Sequence, residues 1–281
     1  PTTSFTRLSA FGDRIVLPGQ IVDSDMIFNP GASFATVGHP GAHDLRSIAT
    51  HEAGHLLGLS HSGVLDATMF FVLQPGQDAA SLTDDDRSAV AAAYPNAAFD
   101  SLYGTMRGQA FLGRTGEPLP GALITAVRLD SLGNPADSTA SDYTAEDGSY
   151  ALRRLSAGDY SVRITPLDGN VGGFPLTPAF ISQRLLNIAQ TVFLPEWWSV
   201  PESDRDDPAL RGMLSLTTGQ TLTGINITTN VDTLPPTVTS VLPADSATNV
   251  GIDTPVLVNF SEAVTPASLQ ASFRLRKDGL P

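Results

Sequence analysis

His51-Glu52-Ala53-Gly54-His55-Leu56-Leu57-Gly58-Leu59-Ser60-His61 has the form H-E-x-x-H-x-x-G-x-x-H. On a helix, His51 and His55 project from one face, a turn apart. Glu52 is rotated away from that pair but stays close enough to hold a water. Gly58 lets the chain leave the helix, because glycine tolerates the left-handed conformation of a helix C-cap. The turn then brings His61 round as a third ligand. Three imidazole nitrogens are a zinc-binding set, and they leave the fourth tetrahedral position open, which is the catalytic rather than the structural arrangement. A bare H-E-x-x-H has a bland alternative, a solvated helix face. The added Gly58 and His61 argue against it. All five histidines lie between His39 and His61. His39 and His43 sit in a Gly/Pro-rich approach loop and read as solvent-exposed loop residues.

These residues resemble the metzincins, zinc peptidases in which this long motif is followed by a methionine turn. Asp66-Ala67-Thr68-Met69-Phe70 supplies such a turn, and the resemblance implies that Met69 lies beneath the metal. Ordinary core packing is the alternative for Met69. Ser62 after the third histidine, the run-in Asp44 to Thr50, and Leu82-Thr83-Asp84-Asp85-Asp86 with Val90 and Tyr94 resemble the matrixin branch. The resemblance assigns Asp86 to support of the methionine turn. A local role also fits, since Thr83 can N-cap a helix and Asp86 can close a capping box. Phe70 and Phe71 are candidates for the wall of the primed-side substrate pocket. The resemblance spans roughly the first hundred residues, and the chain opens at Pro1 inside the catalytic domain as that family has it. Thr2 to Leu8 is the candidate substrate-side edge strand, and Ile21 to Phe28 the strand beside it.

The net charge of -13 and a pI near 4.6 exclude a nucleic-acid-binding surface, since no basic patch appears. No apolar run is long enough to span a bilayer. The chain has no cysteine, so there is no disulfide framework, and the count says nothing of compartment.

Past Tyr94-Pro95 short β-type runs separated by turns take over. Thr105 to Phe111, Ala122 to Leu129, Ser149 to Leu152, Tyr160 to Thr165 and Leu222 to Thr228 read as strands of a β-sandwich. Pro118-Leu119-Pro120-Gly121-Ala122, Asp147-Gly148-Ser149-Tyr150 and Leu155 to Val162 resemble the carboxypeptidase regulatory-like domain, a transthyretin-type sandwich that is non-catalytic. Trp197-Trp198 fits either an exposed carbohydrate platform or rings folded onto the sandwich, and packing is favoured. Ser203 to Asp207 does not match a calcium loop and reads as a solvated acidic turn. Val231 to Pro236 is a proline-stiffened linker. Val238 to Pro243, Asp245 to Val250 and Val256 to Glu262 resemble the opening of a bacterial Ig-like domain.

The expected architecture is therefore an α+β metzincin partial domain at 1–99, truncated at its N-terminal side, followed by all-β sandwich domains. These are a regulatory-like sandwich at 100–230, a linker at 231–236 and a partial Ig-like domain at 237–281. The expected function is zinc-dependent endopeptidase action on extracellular proteins. His51, His55 and His61 would hold Zn2+, Glu52 would be the general base, and Gly58, Met69 and Asp86 would support the site. Helices are expected over Leu45 to Leu57 and Asp84 to Ala93. The partner is a protein or peptide, with carbohydrate or cell-surface contact through the β-modules a weaker possibility. Secreted or surface-attached placement follows from the resemblance alone. The rival reading is an adhesin whose β-modules carry the function beside a minor metal site.

Overall fold

Asp44 opens the first long helix and sets its direction. Its Oδ1 accepts from the Ser47 amide at 2.8 Å and from the Ser47 hydroxyl at 2.9 Å, satisfying an amide that the helix itself cannot. The computed structural model of the protein describes residues 2–4, 9–11, 14–16, 21–36, 39–230, 237–251, 253–260 and 264. Strands β1 (Thr2–Ser4), β2 (Ser9–Phe11), β3 (Arg14–Val16) and β4 (Ile21–Ser24) come first. β1 pairs antiparallel with β4, and β2 with β3. The expected edge strand is thus seen at Thr2–Ser4, and Phe5 to Leu8 lie outside the described residues. The neighbouring strand ends at Ser24, short of Phe28.

A parallel bridge of β5 (Phe34–Ala35) with β6 (His43–Asp44) leads into α1 (Leu45–Leu56). His43 is therefore half-buried beside Phe34 rather than a free loop residue, while His39 is exposed. Helix α2 (Asp84–Ala93) carries both halves of the capping box, Thr83 accepting from the Asp86 amide and Asp86 accepting from the Thr83 amide. A single turn, α3 (Ala97–Asp100), precedes the β region.

The β region is a two-sheet sandwich. Its strands are β7 (Gly104–Leu112), β8 (Leu123–Leu129), β9 (Pro135–Tyr143), β10 (Ser149–Leu155) and β11 (Gly158–Thr165). An insertion then carries β12 (Asn170–Val171), β13 (Phe174–Pro175), α4 (Pro178–Ile181) and α5 (Gln183–Ile188). The sandwich finishes with β14 (Glu196–Trp197), β15 (Leu214–Leu216), β16 (Thr221–Leu222) and β17 (Ile227–Thr229). One sheet centres on β7, which pairs antiparallel with β10 and parallel with β16 and β17. The other runs β14-β11-β8-β9, with β15 also on β11. Alternate residues from both sheets meet in the core: Met106, Ile124, Ala126, Leu152, Tyr160, Val162, Ile164 and Ile227 are all fully buried.

β8 breaks the alternation. Leu123 through Val127 are buried without interruption, so both faces of this strand are covered. Leu123 belongs to a second cluster with Leu167, Leu176, Ile181 and Leu185. Trp198 packs against the main core, and the guanidiniums of Arg163 and Arg211 stand 5.6 and 5.5 Å from the Trp197 ring. The tryptophan pair is packed rather than presented. The expected linker Val231 to Pro236 lies outside the described residues. Beyond it, β18 (Val238–Leu242) pairs antiparallel with β19 (Leu257–Phe260). Among the described residues no helix is long and apolar enough to cross a membrane.

The acidic turn after Trp198 packs onto a buried carboxylate. Glu196 is 2% exposed, and its Oε2 accepts from the Asn230 amide at 3.1 Å. Burial, with Asp206 and Glu202 adding repulsion, pushes its pKa up to about 8 from 4.5, and burial pushes Glu202 up to about 7. Both groups hold a proton in the folded chain at pH values where the unfolded chain has released it. Stability therefore falls as pH rises from about 4.5 to about 8. Glu196→Gln keeps the acceptor and cannot ionise. It should raise the thermal midpoint by at least about 5 °C at pH 8 and leave it within about 2 °C at pH 5. Calorimetry at the two pH values decides it, and equal shifts at both would rule out a titrating Glu196.

Candidate metal centre

The helix α1 places His51 and His55 one turn apart on one face, and the chain then turns at Gly58. Gly58 lies at φ +87°, its amide donating to the His55 carbonyl at 2.9 Å while the Leu59 amide donates to the Gly54 carbonyl at 3.0 Å. That pair of bonds is the Schellman motif, and it ends the helix at Leu56. His61 follows three residues later. The ligand atoms of His51, His55 and His61 all lie within 4.8 Å of one another.

Each ring is fixed from behind by a main-chain carbonyl. His51 Nδ1 is 2.7 Å from the Thr68 carbonyl, His55 Nδ1 is 2.8 Å from that of Leu59, and His61 Nδ1 meets that of Phe180. A carbonyl only accepts, so each Nδ1 carries a proton. In a neutral ring Nε2 is then a bare lone pair. His55 Nε2 and His61 Nε2 are 3.2 Å apart, a separation at which two lone pairs repel unless something positive lies beside them. Burial holds the His51 and His61 rings below the ordinary imidazole pKa, each lowered further by its histidine neighbours. Carbonyl-anchored rings whose ligand atoms lie within 4.8 Å of one another are what a cation with nitrogen preference requires. The residues present fit a metal ion.

Glu52 is exposed on α1, and its charge acts on both His51 and His61. Met69 is 3% exposed and packs against α1 at Gly54. A Cβ on Gly54 would fall 2.2 Å from Met69 Sδ, so glycine at this helix position is what lets the methionine sit as close as it does. Sequence reasoning passed over Gly54. The signal was its place, one residue before the second histidine on the buried side of the helix.

Asp86 reaches across to the methionine turn. Its Oδ2 accepts from the Thr68 amide at 3.0 Å and its Oδ1 from the Met69 amide at 2.9 Å. The same carboxylate accepts from the Thr83 amide at 2.8 Å and the Thr83 hydroxyl at 2.7 Å. Capping and support of the turn are therefore one function of one side chain. Ser62 is held by Asp85 at 2.6 Å, and burial raises the Asp85 pKa. Phe70 is buried and Phe71 half-buried, their rings 4.4 Å apart.

The site is thus a cluster of three histidines able to hold a metal ion, on a helix–turn scaffold with a methionine packed beneath. Comparison with known proteins agrees: residues 12–95 match the matrixin family and residues 232–280 match the bacterial Ig-like domain family. Metalloendoproteinase 1-MMP of Arabidopsis thaliana is 42% identical over 85 residues, covering 29% of this chain and 21% of that protein. Metalloendoproteinase 4-MMP of the same plant is 45% identical over 64 residues, 22% of this chain and 19% of that protein. Matrix metalloproteinase-2 of Drosophila melanogaster is 46% identical over 59 residues, 21% of this chain and 7% of that protein. The chain spans about a fifth or less of the length of these relatives.

Solved structures similar in part include the major pilin subunit of Bacillus cereus, at TM-score 0.25 and 14% identity over 46% of this chain and 30% of that one. Another is the pilus 2b backbone protein of group B streptococcus, at TM-score 0.23 and 15% identity over 47% and 42%. At those scores neither carries an argument.

Proposed function

We propose that the protein is a zinc endopeptidase in which His51, His55 and His61 hold the metal through Nε2 and Glu52 is the general base. The observation that carries this reading is the set of three Nδ1 atoms bonded to carbonyls, which turns three bare Nε2 atoms toward one point. When bound, zinc supplies Lewis acidity to a peptide carbonyl and to the attacking water. Glu52, one residue past the first ligand and outside the carbonyl-anchored set, takes the proton from that water and passes it to the leaving amine. Met69 and Asp86 hold the floor of the site. Phe71 borders the pocket for the residue after the scissile bond, and Phe70, 1% exposed, backs it rather than lining it as the sequence suggested. The substrate adds as a strand along β1, whose second edge has no partner among the described residues.

The domain division that goes with this reading is a peptidase part at 1–99, a sandwich at 100–230, a linker at 231–236 and an Ig-like part at 237–281. A peptidase joined to such β-modules acts on proteins outside the cell.

Zinc removal tests the reading. The protein should bind one equivalent of zinc, digest casein, lose that digestion with a chelator such as 1,10-phenanthroline and regain it on zinc addition. Digestion that survives the chelator, or a chain that takes up no zinc, overturns the assignment.

A further inference from the structure

The third histidine is not anchored by the peptidase part of the chain. The carbonyls behind His51 and His55 come from Thr68 and Leu59, within the same hundred residues. The carbonyl behind His61 comes from Phe180, in the insertion of the β-sandwich. The His61 amide also donates into that insertion, to the Ile181 carbonyl at 3.3 Å, and Tyr143 Oη of β9 donates to the His61 carbonyl at 3.3 Å. His61 is therefore held at its ring and at both of its main-chain polar groups by the sandwich.

The local sequence explains why Phe180 presents a free carbonyl. Pro178 starts α4, and Ser182 ends it in extended conformation while capping α5 through its hydroxyl. A helix of one turn leaves its last carbonyls without intrahelical partners, and His61 Nδ1 takes one of them. Ile181, the next residue, is 3% exposed among Leu123, Leu167, Leu176 and Leu185, which fixes the segment to β8. The fit is close on the other side as well. A Cβ on Gly63 would lie 2.7 Å from Leu123 Cδ2, so the loop leaving His61 rests directly on the sandwich. The Phe180 ring is half-exposed and stacks on Phe71, centroids 5.3 Å apart and planes 16° from parallel. Phe174 meets Phe70 edge-on at 6.1 Å.

We infer that the sandwich insertion is a working part of the metal centre. The Phe180 carbonyl is a positioning group for His61, and the Phe180 ring extends the Phe71 wall that receives an apolar substrate side chain. This rests on the zinc-peptidase reading above. The sandwich then contributes to metal affinity and to substrate choice, in addition to standing beside the peptidase.

Two variants of the full chain separate these roles. Replacing the 180–181 amide by an ester weakens the Phe180 carbonyl as an acceptor and leaves every side chain in place. The zinc dissociation constant, measured by chelator competition, should weaken about tenfold or more, as loss of a partner behind a ligating histidine does. The same ester at 184–185, in α5, is the control for generic loss of a helix amide and should leave zinc affinity unchanged. Equal affinity in the two esters overturns the positioning role. Phe180→Ala keeps the carbonyl and removes the ring. Zinc affinity should hold, while KM for peptides with leucine or phenylalanine after the scissile bond rises roughly tenfold and KM for alanine peptides stays. A uniform change across the peptides overturns the wall. A chain that binds zinc as described but cleaves no peptide defeats the peptidase reading and leaves the affinity result to judge the positioning of His61.

Discussion

Replacing Glu52 with glutamine is expected to lower peptide hydrolysis by about 10²- to 10⁴-fold while leaving one bound zinc and an unchanged thermal midpoint. The reason lies in the division of labour on α1. The three-histidine set is complete without Glu52, since its rings are anchored by carbonyls of Thr68, Leu59 and Phe180. Glu52 is exposed, so glutamine adds no burial cost. The amide fills the same space and still meets a water, but it cannot accept a proton. Steady-state kinetics with a fluorogenic peptide, alongside metal analysis of the same preparation, checks this. Turnover within threefold of the parent would remove Glu52 from the role of base.

The largest loss of stability is expected at Asp86. Its carboxylate is 1% exposed and accepts from the amides of Thr68, Met69 and Thr83 and from the Thr83 hydroxyl. Asp86→Ala leaves the Thr68 and Met69 amides buried without an acceptor, at about 1–3 kcal/mol each, and dissolves the capping box. The expected total is about 3–5 kcal/mol in urea unfolding. Thr68 also supplies the carbonyl behind His51, so zinc affinity should fall with stability. Asp86→Asn keeps one oxygen and should recover about half of the loss. A loss under about 1 kcal/mol in the alanine variant would mean that the methionine turn holds itself.

What could be read in the sequence was whatever chemistry forces into a fixed spacing. The ligand histidines must sit four residues apart on a helix and six across a turn, so His51, His55 and His61 stood out before any fold was known. Thr83 and Asp86 were legible for the same reason, since a capping box spans four residues and α2 runs over Asp84–Ala93 as its caps imply. The sandwich strands with alternating apolar residues were legible too. Pro135–Tyr143 was not, although it forms a nine-residue strand. Its run of Asp, Ser, Thr and Ala carries no apolar alternation, and its pairing to β8 supplies the order that its own residues do not. Leu222 to Thr228 read as one strand and is two, β16 and β17 pairing with different stretches of β7. The bond from His61 to Phe180 had no sequence signal at all, because it joins residues 119 positions apart through a main-chain carbonyl that every residue type possesses.

That separation has a meaning in time. Residues leave the ribosome in order, and His61 emerges 119 residues before the carbonyl that orients it. At roughly 5–20 residues per second the interval is about 6–24 s. Within it the partners of His51 and His55, Thr68 and Leu59, have already been made, and that of His61 has not. Synthesis order therefore leaves the His61 ring without its carbonyl partner until the insertion that carries Phe180 has been made.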